Sequence, residues 1–368
     1  APVVAAVAPG AAVPPPPTAE AAALRGGAEG VPPSAPPPPP SSPPPRRLQF
    51  ASRLNSMKDR RDLCPADEAN DVLGWVARQG KVKGLTHVDF NFPQHLGGLS
   101  VEQARAALDA AGLGAAAVCM RFPKEMQAGA YTHPDPAVRA RAIALTIEGC
   151  EWAKALGASE VVVWSAYCGY DYPFQLDYLD GWKRMIDAFR QVCDAHPDVK
   201  VSLEFKPTDE NTRFFAVPST GAALLLCDDV DRPNFGLTLD VGHCLAAGEN
   251  PAQSAAMVGA RGKLFGVQLN DGYTRLGAED GLAFGSVHPL LALEFIATLQ
   301  KYNYDGHLYF DTFPRNEDPV RECEYNIRRC EKLWAAAERL RAEGALDALT
   351  AKQDAMGVLE LIERVGLP

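Results

Sequence analysis

Eight short β-prone runs alternate with stretches of helical length between residues 48 and 311 of this 368-residue chain. This alternation is typical of parallel α/β folds, because two parallel strands need a crossover segment between them. Eight such units predict closure into a (β/α)8 TIM barrel, and a doubly wound open sheet is the alternative. The predicted strands are residues 48–54, 85–90, 115–120, 160–164, 200–205, 235–240, 264–269 and 307–311.

Helical stretches separate these strands, and several of them begin with Ser or Pro, as helix N-termini commonly do. Two further helical stretches, 318–343 and 350–365, follow the eighth strand. They form a predicted C-terminal helical extension over 318–368, which could cover the barrel or join subunits of a homo-oligomer. The predicted helices between strands are residues 65–78, 100–111, 136–156, 176–196, 219–227, 251–258 and 289–301.

Residues 1–47 have a different composition from the predicted barrel at 48–317. They consist mostly of Ala, Pro, Gly and Ser, with proline runs at 14–17 and 36–40. A segment with so few large apolar side chains cannot offset its ordering entropy, so we expect disorder with polyproline II character. We interpret it as a leader or linker, and a plastid or mitochondrial transit peptide is the alternative.

Charge and cysteine content restrict the partners and the compartment. With 36 Lys and Arg against 46 Asp and Glu, the chain carries a net charge of -10. The sequence has no run of basic residues of the kind that binds a nucleic-acid backbone. The nine scattered cysteines lack zinc-ligand spacing, and no apolar run is long enough to span a bilayer. We therefore expect a soluble intracellular protein, in the cytoplasm or an organelle, that binds neither nucleic acid nor a membrane.

Polar side chains are concentrated at the C-terminal ends of the predicted strands, where barrel enzymes place their catalytic groups. Strand five ends with Glu204, strand six with Asp240 followed by His243, and strand eight with Asp311. Carboxylates that point into one space repel each other unless a cation lies between them. Oxygen ligands with one imidazole favour Mg2+ or Mn2+, and Co2+ or Zn2+ are less favoured alternatives.

The other strand ends are also polar or aromatic. Strand two alternates so that its polar side chains share the face directed into the barrel, strand four ends with a tryptophan, and strand seven ends with amides. These positions surround the mouth where a small substrate would bind. The expected substrate-binding residues are Trp164, His87, Asp89, Asn91 and Asn270.

Together these motifs resemble the xylose isomerase-like superfamily over residues 50–334, and most of all its L-rhamnose isomerase and xylose isomerase branches. The similar segments are Leu-Glu-Phe-Lys-Pro at 203–207, Asp-Val-Gly-His at 240–243, Gly-Val-Gln-Leu-Asn-Asp at 266–271 and Tyr-Phe-Asp at 309–311. The tryptophan of Val-Trp-Ser at 163–165 resembles the apolar wall against which the sugar packs.

The resemblance implies a ligand set for one metal and a second set nearby. The first comprises Glu204, Asp240, Asp311 and Gln268, although Gln268 stands where the family has Asp or His. The second comprises His243 and Asp240 with an acidic loop residue, either Glu279 or Asp280.

The activity implied by the resemblance is a metal-dependent aldose-ketose isomerisation of a sugar or sugar derivative, with hydrogen moving between C1 and C2. Its catalytic residues would be Glu204, Asp240, Asp311 and Lys206, the last stabilising charge on the carbonyl oxygen. One alternative is a ketose 3-epimerase with strand-five and strand-eight carboxylates as paired acid and base. Another is a non-catalytic binding or scaffold barrel, in which Gln268 marks decay of the metal site.

Overall fold

An eight-stranded parallel sheet forms the centre of the computed structural model, which describes residues 47–273 and 279–366. Numbered along the chain, the strands are β1 Phe50–Ser52, β2 His87–Phe92, β3 Gly114–Met120, β4 Glu160–Trp164, β5 Lys200–Glu204, β6 Phe235–Asp240, β7 Leu264–Leu269 and β8 Leu308–Phe310. Neighbouring strands follow the order β1-β8-β7-β6-β5-β4-β3-β2. A parallel bridge from Arg53 to Asp89 joins the two edge strands. The barrel is thus nearly closed, and the predicted (β/α)8 fold is confirmed.

Eleven α-helices lie in the described residues, and most of them occupy the predicted stretches. They are α1 Val72–Gln79, α2 Val101–Ala111, α3 Pro136–Leu156, α4 Tyr178–Ala195, α5 Thr220–Val230, α6 Val241–Ala246, α7 Pro251–Gly259, α8 Pro289–Lys301, α9 Pro319–Ala342, α10 Leu346–Ala351 and α11 Ala355–Val365. A short antiparallel ribbon, formed by Gly169–Tyr170 and Phe214–Phe215, joins the loops after β4 and β5.

Two helix predictions were wrong in their boundaries for local reasons. The helix predicted at 65–78 begins at Val72, because Ala66–Ala69 forms a 3-10 turn and the Asp71 side chain caps α1 at Gly74 N. The helix predicted at 350–365 is interrupted between α10 and α11. There Gln353 adopts a left-handed φ of 54°, and Asp354 caps the next helix.

A polar layer lies inside the barrel beneath its mouth. Glu160, at the first residue of β4, is buried and accepts hydrogen bonds from Ser202 Oγ at 2.5 Å and Thr238 Oγ1 at 2.7 Å. The buried His307 Nε2 and Asp89 Oδ2 are 2.9 Å apart. These contacts satisfy the polar groups of this layer, and they link the strands that carry the site.

The predicted leader at 1–47 lies, except for its last residue, outside the described residues. All nine cysteines are unpaired. Within 47–273 and 279–366, each helix is either too short or too polar to cross a membrane.

Candidate metal centre

Four carboxylates from three strands and one loop converge at the mouth of the barrel. Glu204 and Asp240 end β5 and β6, Asp311 follows β8, and Glu279 lies in the loop after β7. Ligand atoms of Glu204, Asp240 and His243 lie within 4.8 Å of one another, as do those of Asp240, Glu279 and Asp311. Asp240 belongs to both groups, so the predicted residues form two overlapping clusters that could bind a metal.

The Asp-Val-Gly-His segment places two of these groups through a short helix, α6. The Asp240 side chain caps this helix by accepting a hydrogen bond from His243 N at 2.8 Å. Gly242 N donates to Asn270 Oδ1 at 2.7 Å. The side-chain amide of Asn270 in turn donates from Nδ2 to Asp240 Oδ2 at 3.1 Å. A Cβ atom at Gly242 would lie 2.8 Å from Asn270 Oδ1. Glycine at this position therefore allows the amide that holds Asp240 to approach.

His243 lies between two carboxylates. Its Nδ1 is 3.5 Å from Glu204 Oε1, and its Nε2 is 3.2 Å from Glu279 Oε2. Burial acts to lower the pKa of His243, but Asp240 and Glu279 raise it to about 9. Nδ1 is buried and has no hydrogen-bond partner among the described residues.

The carboxylates themselves have strongly shifted pKa values. Burial raises the pKa of Asp240 to about 8, with His243 opposing and Glu279 adding to the shift. Burial and Glu279 also raise the pKa of Asp311 to about 6. For Glu279, burial acts in the same direction, but His243 and Lys206 hold its pKa below the usual range. Divergent pKa values of this kind are typical of functional sites.

Lys206 is fixed beside the cluster by two ion pairs. Its Nζ lies 2.8 Å from Glu279 Oε2 and 2.8 Å from Asp209 Oδ2. Burial opposes the charged form, but these two carboxylates raise the pKa of Lys206 above its ordinary value. The ammonium also lies 5.8 Å from the centre of the Trp164 ring.

Buried acceptor atoms in the cluster lack donors, which tests whether the residues suit a cation. Gln268 Nε2 donates to Glu204 Oε2 at 2.9 Å, while Gln268 Oε1 has no hydrogen-bond partner in the described part of the chain. Asp311 Oδ1 also accepts no hydrogen bond there, although Arg53 Nε lies 3.3 Å away. Buried lone pairs without donors are what a divalent cation would satisfy, so the residues fit such an ion.

The cluster opens into a cavity of about 580 Å³, and Trp164 forms part of its wall. Arg53 and Arg121 line it as well. Neither arginine is among the site residues predicted from the sequence. Arg121 comes directly after β3, so its position at a strand end could have indicated a site residue. Arg53 fell inside the predicted first strand.

The predicted substrate-binding residues occupy different parts of the structure. Trp164 reaches the cavity. Asn270 is fully buried and binds Asp240 and Glu279 instead. Asn91 donates from Nδ2 to Gln94 Oε1 at 2.9 Å.

Three further predicted site residues also lie apart from the two clusters. His87 is the first residue of β2, at the end of the strand opposite the mouth, and its Nδ1 is 2.7 Å from Thr86 Oγ1. Asp89 pairs with His307 in the polar layer. Asp280 accepts a hydrogen bond from Tyr273 N at 2.6 Å, so of the two acidic loop residues only Glu279 joins the clusters.

Comparison with known proteins identifies the family. Residues 81–333 match the profile of the xylose isomerase-like TIM barrel family. The chain belongs to this family. It is 29% identical over 226 residues to a xylose isomerase of Thermus thermophilus, and the match covers 59% of this chain. The chain spans 58% of the length of that relative.

Several solved structures share the fold of this chain at low sequence identity. A D-tagatose 3-epimerase-like protein has a TM-score of 0.63 and 15% identity, covering 79% of this chain and 99% of that protein. A xylose isomerase domain protein from Alicyclobacillus acidocaldarius has a TM-score of 0.59 and 18% identity, with coverages of 79% and 99%. At this identity the similarity shows the barrel fold alone.

Proposed function

We propose that this protein is a divalent-metal-dependent sugar isomerase that interconverts an aldose and a ketose by moving hydrogen between C1 and C2. The observation that carries the proposal is the convergence of four carboxylates, three of which line one cavity, with buried acceptor atoms that lack donors. Membership of a family that includes a xylose isomerase relative supports the same reaction class.

The residues divide into two proposed ligand sets. Glu204, Asp240 and Asp311, with Gln268 Oε1, would hold one ion. His243 and Glu279, with Asp240 shared, would hold a second. Oxygen-rich sets of this kind favour Mn2+ or Mg2+. A cation bound there would act as a Lewis acid that polarises a carbonyl or hydroxyl oxygen.

The side chains around the two ligand sets would bind the sugar and stabilise negative charge that develops on it. Trp164 offers an apolar face against which the carbon skeleton of a sugar can pack. Lys206 is held in place by Glu279 and Asp209, so its ammonium can stabilise negative charge on the substrate oxygen with little reorganisation. Such fixed charges act strongly because the site is buried and its dielectric is low.

A ketose 3-epimerase is the second candidate, favoured by one specific feature. Glu204 and Asp311 come from different strands and line the same cavity, as an acid and base pair would. The raised pKa of Asp311, about 6, suits a group that both accepts and releases a proton near neutral pH. The epimerase-like structural neighbour shares this fold.

A sugar panel with Mn2+ or Mg2+ tests the two candidates together. Formation of a ketose from an aldose supports the isomerase, whereas inversion at C3 of a ketose supports the epimerase. In deuterated water, a direct hydride shift keeps the substrate hydrogen, while an enediolate route incorporates deuterium. Glu204→Gln should abolish turnover in a folded protein, and Glu151→Gln on the exposed side of α3 should not. Full activity of Glu204→Gln would refute the site.

A further inference from the structure

Five lysine and arginine side chains line the central cavity, and four of them already have a partner or are solvated. Lys206 pairs with carboxylates at 2.8 Å, and Arg53 lies 3.3 Å from a carboxylate oxygen. Lys58 and Arg315 are exposed to water, which solvates their charge. The fifth is Arg121. The five are Arg53, Lys58, Arg121, Lys206 and Arg315.

Arg121 is a partly buried cation whose guanidinium lacks a close anion. No carboxylate of residues 47–273 or 279–366 lies within the 4.0 Å that defines an ion pair. Its Nη1 atom is buried and has no hydrogen-bond acceptor in these ranges. Burial acts to lower the pKa of Arg121, but the more distant Glu204 and Asp311 raise it. A buried cation in this situation favours an anionic partner.

Trp164 adds a second unsatisfied donor beside the first. The Arg121 Cζ atom lies 4.5 Å from the centre of the Trp164 ring, and the buried indole Nε1 has no partner among the described residues. A guanidinium and an indole N–H can donate but cannot accept hydrogen bonds. Arg121 as a whole is only partly buried, and its side chain lines the cavity, so a ligand there that contacts the guanidinium must present acceptor atoms.

The same two side chains stand between two cavities. Besides the central cavity, Arg121 and Trp164 line a neighbouring cavity of about 360 Å³, which Phe122 and Tyr167 also line. A substrate at the carboxylate cluster therefore has Arg121 within the wall of its own cavity.

We propose that Arg121 binds an oxyanion of the substrate, which makes that substrate an anionic sugar derivative, either a sugar acid or a sugar phosphate. A guanidinium binds a carboxylate or a phosphate through two parallel N–H donors, which explains the choice of arginine over lysine. The sugar part of this inference rests on the proposed function. The oxyanion part rests on Arg121 and Trp164 alone.

Calorimetric titration of the full chain, as purified and again with added Mn2+, tests the inference. The probes are D-glucose, D-gluconate and D-glucose 6-phosphate. We expect at least one of the two anions to bind about tenfold or more tightly than glucose, since charged hydrogen bonds contribute at this level. The preferred anion identifies the source of the oxyanion as carboxylate or phosphate.

Arg121→Gln should remove the preference for the anion in both metal conditions. Arg213→Gln is the matched control, because Arg213 is an exposed arginine in the loop after β5 that does not line the cavity. It should keep the wild-type preference. If Arg121→Gln does not fold, Arg121→Lys provides the test and should bind the anion several-fold more weakly, because an ammonium lacks the two-point geometry.

Equal binding of all three probes by the wild-type protein would overturn the inference, and so would an anion preference that persists in Arg121→Gln. This failure is distinct from failure of the proposed function. Anion binding that depends on Arg121, without turnover of any sugar, would refute only the isomerase. Turnover of a neutral sugar that Arg121→Gln leaves unchanged would refute only the oxyanion site.

Discussion

Gln268 donates a hydrogen bond from Nε2 to Glu204 Oε2 over 2.9 Å, and its own Oε1 is buried without a hydrogen-bond partner among the described residues. The amide therefore holds one carboxylate while keeping an acceptor atom unsatisfied. An Asp at this position would add a further negative charge beside Glu204. The neutral side chain thus changes the charge of the cluster and retains an oxygen that can bind a cation.

Gln268→Ala should weaken Mn2+ binding, because it removes both the contact to Glu204 and the unsatisfied oxygen. We expect a loss of about 10- to 100-fold in affinity, as for other groups that orient metal ligands. Titration calorimetry measures it. Gln300→Ala is the control, since Gln300 is also buried with an unpartnered Oε1 but lies on α8. An equal loss in both variants would show that Gln268 acts only through stability.

Gly242→Ala should disturb the centre without changing any charge. The added Cβ would lie 2.8 Å from Asn270 Oδ1, so the amide that donates to Asp240 must move. We expect Mn2+ affinity to fall by about 10-fold or more while circular dichroism shows a native fold. At Gly221, in the first turn of α5, a Cβ meets no atom within 4 Å, so Gly221→Ala should bind Mn2+ normally. Normal binding by Gly242→Ala would contradict the proposed role of the motif glycine.

Lys206→Met should lower kcat far more than it raises KM, because the ammonium is proposed to stabilise charge that develops during the reaction. Loss of one such fixed donor typically costs about 10²- to 10³-fold in kcat. Steady-state kinetics on the sugar identified by the panel measures the effect. Lys154→Met, which removes only a surface ion pair with Asp198, should behave as the wild type. A kcat near the wild-type value in Lys206→Met would exclude this role.

Glu322 should make stability depend on pH. Burial raises its pKa to about 7, although Thr312 and Asn326 donate hydrogen bonds to it. The folded protein then holds this proton to a higher pH than the unfolded chain. The stability that the group contributes is present below its ordinary pKa and is lost as the pH rises through about 7.

Urea unfolding at pH 5 and pH 8 compares this contribution with Glu322→Gln. From pH 5 to pH 8, the free energy of unfolding of the wild type should fall by on the order of 1 to 3 kcal/mol more than that of the variant. Glu331→Gln, at an exposed position of the same helix, should keep the wild-type dependence. If the free energy of unfolding changes equally with pH in the wild type and in Glu322→Gln, Glu322 is not the source of the pH dependence.

The sequence predicts β4, β6 and β7 to the residue, because each apolar run there is bounded by polar or turn residues. The helix α6 was not predicted. It has only six residues and follows β6 directly, which is too short a window for a helical period to be distinguished. The break between α10 and α11 depends on the left-handed backbone of Gln353, for which the sequence offers no strong signal.

Within the site, the strand-end residues could be predicted and the loop contacts could not. Glu204, Asp240 and Asp311 lie where the barrel places strand ends, so the pattern of strands indicates their proximity. The choice between Glu279 and Asp280 depends on how the loop after β7 packs. The exposure and partners of Arg121 likewise depend on tertiary contacts with Trp164.

The most direct test is a calorimetric titration of Mn2+ into chelator-treated protein, comparing the wild type with Asp240→Asn. Asp240 belongs to both carboxylate clusters, so this single substitution should weaken every Mn2+ site at the mouth. We predict saturable Mn2+ binding by the wild type and loss of that binding in a folded Asp240→Asn variant. Absence of Mn2+ binding by the wild type, or unchanged binding by Asp240→Asn, would contradict the proposed metal centre.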